Sequence, residues 1–403
     1  MPRSFPPSRD AALATLRAFI PHAGRAYAEG RNFDDARRNA VSTLSPYIRH
    51  RVLTEPEILR AALAEHDMHA ASKFVQELFW RTYFKGWLEM RPSVWQDYRN
   101  GLLRAWDDVQ TQSHLRERWR SACTAQTGID GFDHWAAELA ETGYLHNHAR
   151  MWFASIWIFT LRLPWELGAD FFLRHLLDGD PASNTLSWRW VAGLHSRGKH
   201  YVAAPDNIAR FTGGRFNPKG QLARDPAPID GPPHPAPIAA PTGDSFDPGK
   251  RSVLLVHDDD LELGWLFAFG VSPAATATLE AGAGISPLNV SPNVLSFKQA
   301  LIEDAIARHS RNIGSPTRNL ETAEDIETWA SARGAEQIVT AYPPVGPAAT
   351  ILNGVTAIPV IRLLRDYDRL TWPNATAGYF KLRKKIPKMI EALDLQPKPL
   401  SSR

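Results

Sequence analysis

A proline-rich segment at residues 216–250 divides this chain of 403 residues into two parts of different character. Proline recurs there every two or three residues with no apolar period, which is typical of a semi-rigid extended linker. A chain of this length can form two domains. The sequence therefore predicts one domain at residues 1–215 and a second at residues 251–403, joined by the linker.

The two parts have different apolar patterns. Before residue 215 apolar residues recur at helical spacing and strand-like alternation is almost absent, so we expect an all-α domain. After the linker, RSVLLVHDDD reads as a buried strand, and helical and strand-like segments then alternate. This order favours a smaller α/β domain with a mainly parallel sheet. A basic helix, FKLRKKIPKMIEAL, interrupted by Pro387, ends the pattern.

Composition narrows the class of protein. The chain is 44% hydrophobic and 22% charged, as in ordinary globular proteins, but 11 of its 14 tryptophans precede residue 200. This excess indicates a large core, a ring-binding site or an electron-carrying site. Residues 1–220 contain 28 basic and 23 acidic residues, which is either chance or a basic face that meets phosphates.

The cysteine count and the lack of long apolar runs bear on the location of the protein and on its covalent chemistry. Cys123 is the one cysteine, so an intramolecular disulfide and a cysteine-ligated metal cluster are excluded, and a cytoplasmic location is expected. The segment MPRSFPPSRD lacks the apolar core of a signal peptide. No apolar run reaches the roughly 18–20 residues of a membrane helix. Isolated histidine pairs are weak evidence for a metal, and none is predicted.

Polar residues at helical spacing interrupt the apolar, tryptophan-rich stretch between residues 141 and 190. Asn147, Arg150 and Met151 share one helix face, and Asn184 shares another with Trp188. Buried polar groups need partners. A large, polar, planar ligand such as a flavin would supply them.

Several short motifs have both a structural and a functional interpretation. Glu77 either lies beside Trp80 in a site or forms a surface pair with Arg81. Ser45 is expected to cap a helix that begins at Pro46, where free N–H groups and hydroxyls also suit a phosphate.

The segment LLDGDPASN brings two acids close together. Asp178 and Asp180 could bind a cation, act as acid and base, cap a helix or pair with Arg150. The pair is favoured, because it solves the burial problem of both groups.

Seven segments in order resemble the FAD-binding domain of DNA photolyases and cryptochromes, from about residue 10 to about residue 215. They are AYAEGRNF, STLSPY, FVQELFWRTYF, TGIDGFD, GYLHNHARM, LPWE and LLDGDPASNTLSWRW. The resemblance implies an FAD cofactor, with Arg150 and Asp178 paired beside the isoalloxazine ring and Asn184 facing the flavin N5. The cofactor set that it implies is Tyr27, Ser42, Thr43, Leu44, Ser45, Arg81, Arg150, Asp178, Asp180 and Asn184.

The same resemblance implies a pocket for a flipped-out pyrimidine dimer. Glu77 and Asn147 would act on the dimer, and Trp80, Met151 and Trp190 would bind it. The histidines that are usual in (6-4) photolyases are absent at positions 147 and 151, which favours a cyclobutane-dimer photolyase.

Electron transfer to the flavin would begin at Trp188 and continue to Trp165. The third tryptophan of the family's chain is not clearly matched, and Trp106 is the nearest in sequence. His148 stands where many photolyases have an arginine for the DNA phosphate.

The implied function is light-driven repair of cyclobutane pyrimidine dimers in damaged DNA by a monomer. Photolyases normally begin with an α/β antenna domain, so the order here predicts a circular permutation with that domain at residues 251–403. A second chromophore, a folate or a flavin, could bind it. The alternative function is a cryptochrome-like blue-light photosensor that binds FAD without repair. A flavin enzyme that does not use light is a further alternative, with no motif of its own.

Overall fold

The computed structural model describes residues 5–34 and 40–395. Residues before the linker form helices, in agreement with their apolar spacing. The helices are α1 (Arg9–Phe19), α2 (Arg25–Gly30), α3 (Ser45–Arg49), α4 (Glu55–Glu65), α5 (Ser72–Glu89), α6 (Ser93–Thr111), α7 (Ser113–Cys123), α8 (Phe132–Thr142), α9 (Asn147–Ser155), α10 (Trp165–His175), α11 (Pro181–Ala192) and α12 (Pro205–Phe211).

Local sequence signals set the ends of the helices around the site. Asp180 caps α11 by accepting a hydrogen bond from the Ser183 N–H, and Pro181 takes the first helical position. Gly193 ends α11 with a φ of 87°, a left-handed conformation that glycine adopts without strain. Helix α9 continues into a π-helical turn, Ile156–Thr160, before the chain turns toward α10.

The second part is an α/β domain. Its elements are β1 (Ser252–Val256), α13 (Gly264–Ala268), β2 (Ala275–Leu279), α14 (Pro292–Arg308), α15 (Ser310–Ile313), β3 (Thr317–Leu320), α16 (Ala323–Ser331), β4 (Gln337–Ala341), α17 (Pro347–Asn353), β5 (Val360–Leu363), α18 (Asp366–Thr371), α19 (Tyr379–Arg383) and α20 (Ile386–Ala392). The predicted basic helix is two helices, α19 and α20, because Pro387 lies in the first turn of the second.

The strands form one parallel sheet in the order β3-β2-β1-β4-β5. This confirms the predicted parallel sheet, although β2 and β3 were not among the predicted strands. The strand order reverses between β1 and β4, so their carboxyl ends border the crevice where such sheets bind ligands.

The linker lies against both domains. The Ile229 N–H donates to the Ala192 carbonyl and the Ile238 N–H to the Met90 carbonyl, while Asp244 bonds the backbone of Arg362. These bonds attach the linker to both domains without regular secondary structure.

The domains meet through two short charged segments. Residues 49–51 (the basic turn) begin at the last residue of α3, and residues 257–260 (the acid turn) follow β1. The Leu261 N–H donates to the His50 carbonyl at 2.9 Å. Apolar residues of both domains share one core, in which Tyr47 packs against Phe297 of α14. The acid turn therefore lies beside the helical domain, at the carboxyl end of the sheet.

No helix in the part of the chain that the structure describes is long and apolar enough to cross a membrane.

Candidate functional site

Asp180 lies where α5, α11 and the basic turn meet. Its Oδ1 is 3.9 Å from both the Arg49 Nε and the Lys85 Nζ, and all three side chains are buried. Burial alone would raise the pKa of the Asp180 carboxyl, but Lys85, Arg81 and Arg49 lower it well below its ordinary value. Asp180 is thus an ionised carboxylate that also caps α11.

Asp178 pairs with Arg150, the pair that the sequence predicts. The Arg150 Nη2 lies 2.9 Å from the Asp178 Oδ2, and the Arg150 Nε donates to the Leu145 carbonyl. The other oxygen of Asp178, Oδ1, is buried and has no hydrogen-bond partner among the described residues. A buried carboxylate oxygen of this kind is free to accept a bond from a ligand.

Arg81, on α5, is a second group without a partner. Its Nε and Nη2 are buried and make no hydrogen bond within the described ranges. Its charge acts on Asp180 and Lys85 across the site. A guanidinium that offers buried donors is costly unless something accepts from it.

Asn184 and Trp188 lie one turn apart on α11. The Asn184 Nδ2 donates to the Ala169 carbonyl at 2.9 Å, and both side chains are buried. The Trp188 ring packs edge-on against Trp157, with centroids 6.3 Å apart. A Cβ on Gly168 would lie 2.3 Å from the Trp188 ring, so glycine is needed for this close packing.

The helix that follows the predicted phosphate loop begins one residue earlier than expected. Helix α3 begins at Ser45 rather than Pro46, and Leu44 is its N-cap without a side-chain bond, because Ser45 is already within the helix. Thr43 has a φ of 52°, and the Ser42 Oγ accepts from the Leu44 N–H. Ser42, Thr43 and Ser45 are partly exposed, so their hydroxyls are accessible.

Tyr27 is buried in α2 and packs edge-on against Phe19 and Phe74. Burial raises the pKa of the Tyr27 hydroxyl far above its ordinary value, and the nearby charge of Glu77 is the second largest cause of this increase.

Glu77 pairs with Arg31 rather than with Arg81, so the surface pair considered from the sequence is wrong. The two residues lie 46 positions apart in the chain, so helical spacing gave no signal for this contact. Burial raises the pKa of the Glu77 carboxyl, and the Arg31 charge only partly offsets that effect.

Trp80 is covered on one side by the second domain. The Tyr379 ring stacks on it with centroids 3.6 Å apart and 14° between planes, and the Tyr379 Oη donates to the Gln76 carbonyl. Tyr379 was not predicted from the sequence, because the two rings are far apart in the chain and meet only in the tertiary structure.

The remaining residues of the predicted dimer pocket lie on α9 and α11. Asn147 is the exposed first residue of α9, and Met151 is half-buried one turn later. Trp190 is half-buried and stacks on Tyr201 at 5.8 Å. His148 places Nδ1 2.9 Å from the Asn32 carbonyl and stacks on Trp152.

The predicted electron carriers have separate ring contacts. Trp165, at the start of α10, packs against Tyr98 at 5.6 Å, and Tyr98 packs against Trp95 at 5.2 Å. Trp106 instead pairs with Trp119 at 5.2 Å. Trp165 therefore contacts Tyr98, and Tyr98 in turn contacts Trp95; neither residue was predicted from the sequence.

Residues 74–225 match the family described as the FAD binding domain of DNA photolyase. The deoxyribodipyrimidine photo-lyase of Streptomyces griseus is 32% identical over 47% of this chain and 40% of its own length, and that of Escherichia coli K12 is 30% identical over 55% and 46%. The helical half of this chain is therefore similar to the FAD-binding domain of DNA photolyases.

The chain spans about half the length of the curated relatives that it matches. Among solved structures, the Synechocystis cryptochrome is 26% identical over 52% of this chain and 44% of its own, with a TM-score of 0.42. A bacterial class III photolyase from Agrobacterium tumefaciens is 27% identical over 51% of this chain and 43% of its own, with a TM-score of 0.39.

Proposed function

We propose that the site around Asp180 holds FAD and that the protein uses it to repair cyclobutane pyrimidine dimers in light. The observation that carries this proposal is a set of buried polar atoms without hydrogen-bond partners among the described residues: the Nε and Nη2 of Arg81 and the Oδ1 of Asp178. Asn184, on α11, is a further buried polar side chain. Together they offer donors and an acceptor to a planar, polar ring. They lie within the segment that matches the FAD-binding family.

The residues present fit this cofactor. Arg81, Asp178 and Asn184 would hold its ring, and Tyr27 with the loop from Ser42 to Ser45 would hold its phosphates and ribitol. When bound, reduced FAD supplies an electron under blue light. Trp188 and Trp165 would serve as the internal electron route to this site.

The pyrimidine dimer would be bound by the residues of the predicted dimer pocket. Glu77 would stabilise, through a hydrogen bond, the negative charge that develops on the dimer. Trp80 and Trp190 would stack on the bases, and Asn147 and Met151 would complete the pocket. A dimer leaves the DNA stack at low cost, because a damaged base already stacks poorly.

The test is a repair assay. Purified protein, a reductant and an oligonucleotide with one defined thymine dimer are mixed under blue light or in darkness, and intact thymines are quantified. Light-dependent repair with bound FAD supports the proposal. FAD binding without repair contradicts it.

A blue-light photosensor is the second candidate, and two contacts favour it. Glu77 is engaged by Arg31, and Trp80 is covered by Tyr379, so two groups of the dimer pocket already have partners in the protein. A sensor would bind FAD, respond to light and leave the dimer intact in the assay above.

We also propose that residues 251–395 form the antenna-type domain, in permuted order. Its parallel doubly wound sheet supports this. Glu89 of the helical domain reaches its crevice, where it accepts bonds from the Tyr342 hydroxyl and the Val345 N–H. Extraction of purified protein followed by mass spectrometry would show whether a folate or second flavin is bound. One FAD as the sole chromophore would contradict an antenna role.

A further inference from the structure

The segment that carries both flavin-site carboxylates is held by a residue from outside it. Residues 177–180 (the Asp178 loop) connect α10 to α11. The Arg49 Nε donates to the Gly179 carbonyl at 2.8 Å and lies 3.9 Å from the Asp180 Oδ1. Arg49 thus contacts the peptide group between Asp178 and Asp180, and fixing it restrains both side chains.

Arg49 is itself held by the second domain. Its Nη1 donates to the Asp259 Oδ1 at 2.5 Å, and both residues are buried. The neighbouring His50 Nδ1 donates to the Asp258 carbonyl at 2.6 Å, which ties the same two turns together. A buried, charge-assisted pair of this kind fixes geometry strongly, because water does not compete for either partner.

The acid turn also offers an internal comparison. Asp260, adjacent to Asp259, is equally buried and pairs with Arg51 and Arg365. Arg51 makes its other ion pairs with Glu55 and Asp368, rather than with the Asp178 loop. Two neighbouring carboxylates therefore join the domains, and the path from the acid turn to Gly179 and Asp180 runs through Asp259 and Arg49. A separate contact reaches the start of the loop through His50, whose Nε2 lies 3.3 Å from the Leu177 carbonyl.

We propose that Asp259 is a positioning residue for the flavin site, acting through Arg49, so that the α/β domain sets the geometry of the Asp178 loop. This inference rests on the proposed function, in which that loop holds FAD. Without the Asp259 charge, the nearest carboxylate to Arg49 is Asp180. Arg49 would then turn toward Asp180, release the Gly179 carbonyl and change the charge presented to the flavin.

The test compares Asp259→Asn, Asp259→Glu and the matched control Asp260→Asn with the wild type. Three properties are measured: the FAD dissociation constant of apo-protein, the flavin midpoint potential, and amide hydrogen exchange in the Asp178 loop without FAD. Asp259→Asn should weaken FAD binding about tenfold, the scale of residues that orient a ligand's direct contacts. It should also shift the potential and speed exchange in the loop. Asp259→Glu should restore much of each property, because it keeps the charge.

Asp260→Asn should lower the melting temperature while leaving the potential and the loop exchange close to wild type. Equal effects of Asp259→Asn and Asp260→Asn on the potential would overturn the inference, since any loosening of the interface would then suffice. If Asp259→Asn does not fold, Arg49→Lys takes its place, because an ammonium keeps the charge but loses the forked geometry. Unchanged loop exchange and potential in that variant would also overturn it.

The two proposals fail in different ways. A wild-type protein that binds no FAD refutes the proposed function, whatever the exchange data show. A wild-type protein that binds FAD, with an Asp259→Asn variant of equal affinity, potential and loop exchange, refutes the positioning role alone.

Discussion

Tyr379 of the second domain stacks on Trp80 of the helical domain, with ring centroids 3.6 Å apart. Nearly parallel rings at this distance bury one face of each, so Trp80 has only its other face for a ligand. A base stacked there would extend an aromatic column that begins in the α/β domain. The second domain therefore backs one wall of the proposed dimer pocket.

Removing that support should weaken both the fold and the pocket. Tyr379→Ala is expected to cost about 3–5 kcal/mol of stability, as for other large aromatic truncations in a packed site. Tyr379→Phe keeps the stack and loses only the bond to the Gln76 carbonyl, about 1 kcal/mol. Chemical denaturation measures both, and binding to dimer-containing DNA should fall only for the alanine variant. Equal binding by both variants would show that the stack does not support the pocket.

Asp178→Ala should lose FAD. The substitution leaves Arg150 without its carboxylate, and breaking a buried pair on one side costs about 3–5 kcal/mol. Because Arg150 is partly exposed, we expect the lower end of that range. The FAD-to-protein ratio after gel filtration gives the result. Asp366→Ala, which removes an exposed pair with Arg369, is the control and should retain FAD.

Photoreduction of the flavin should depend on Trp188 and Trp165. Phenylalanine at either position keeps an aromatic ring but is harder to oxidise, so the rate under blue light should fall while FAD binding remains. Trp106→Phe should have no effect, since Trp106 pairs with Trp119 instead. Absorbance changes at the flavin bands follow the reaction. A wild-type rate in Trp188→Phe would disprove the route.

Glu77→Gln should keep FAD and repair dimers less efficiently. The amide retains the size of the side chain but removes the carboxyl group, and Arg31 loses its ion pair. Arg31→Gln separates these two effects, because it leaves the carboxyl in place. Quantum yield of repair on a thymine-dimer oligonucleotide is the measurement. Loss of repair in Arg31→Gln alone would assign the role to Arg31.

Glu89 should make stability depend on pH. Burial raises its pKa from 4.5 to about 7, so the folded protein retains a proton that the unfolded chain releases. This contribution is full below about pH 4.5 and is lost as the pH rises toward 7. Glu89→Gln should remove it and be more stable than wild type at pH 8 by roughly 1–3 kcal/mol. Urea unfolding of both proteins at pH 5 and pH 8 measures the difference. If the free energy of unfolding changes equally with pH in both proteins, the prediction is wrong.

The sequence by itself determined the division into a helical and an α/β part. Apolar spacing is a local property, so the helices before the linker and the parallel sheet after it could be predicted from residues near one another. It also indicated the Arg150–Asp178 pair, because both residues occupy family motifs. The strands β2 and β3 were not predicted, because such short segments resemble ordinary loops in the sequence.

Only the tertiary structure decided what each site residue touches. Glu77 meets Arg31, Trp80 meets Tyr379, and Arg49 joins Asp259 to the Asp178 loop, across separations of 46 to more than 200 residues. No periodicity in the chain encodes such contacts, because they arise when whole elements pack. The burial that shifts the pKa of Glu89 likewise exists only once both domains have packed together. The same holds for the buried Nε and Nη2 of Arg81 and the Oδ1 of Asp178, which have no hydrogen-bond partner among the described residues.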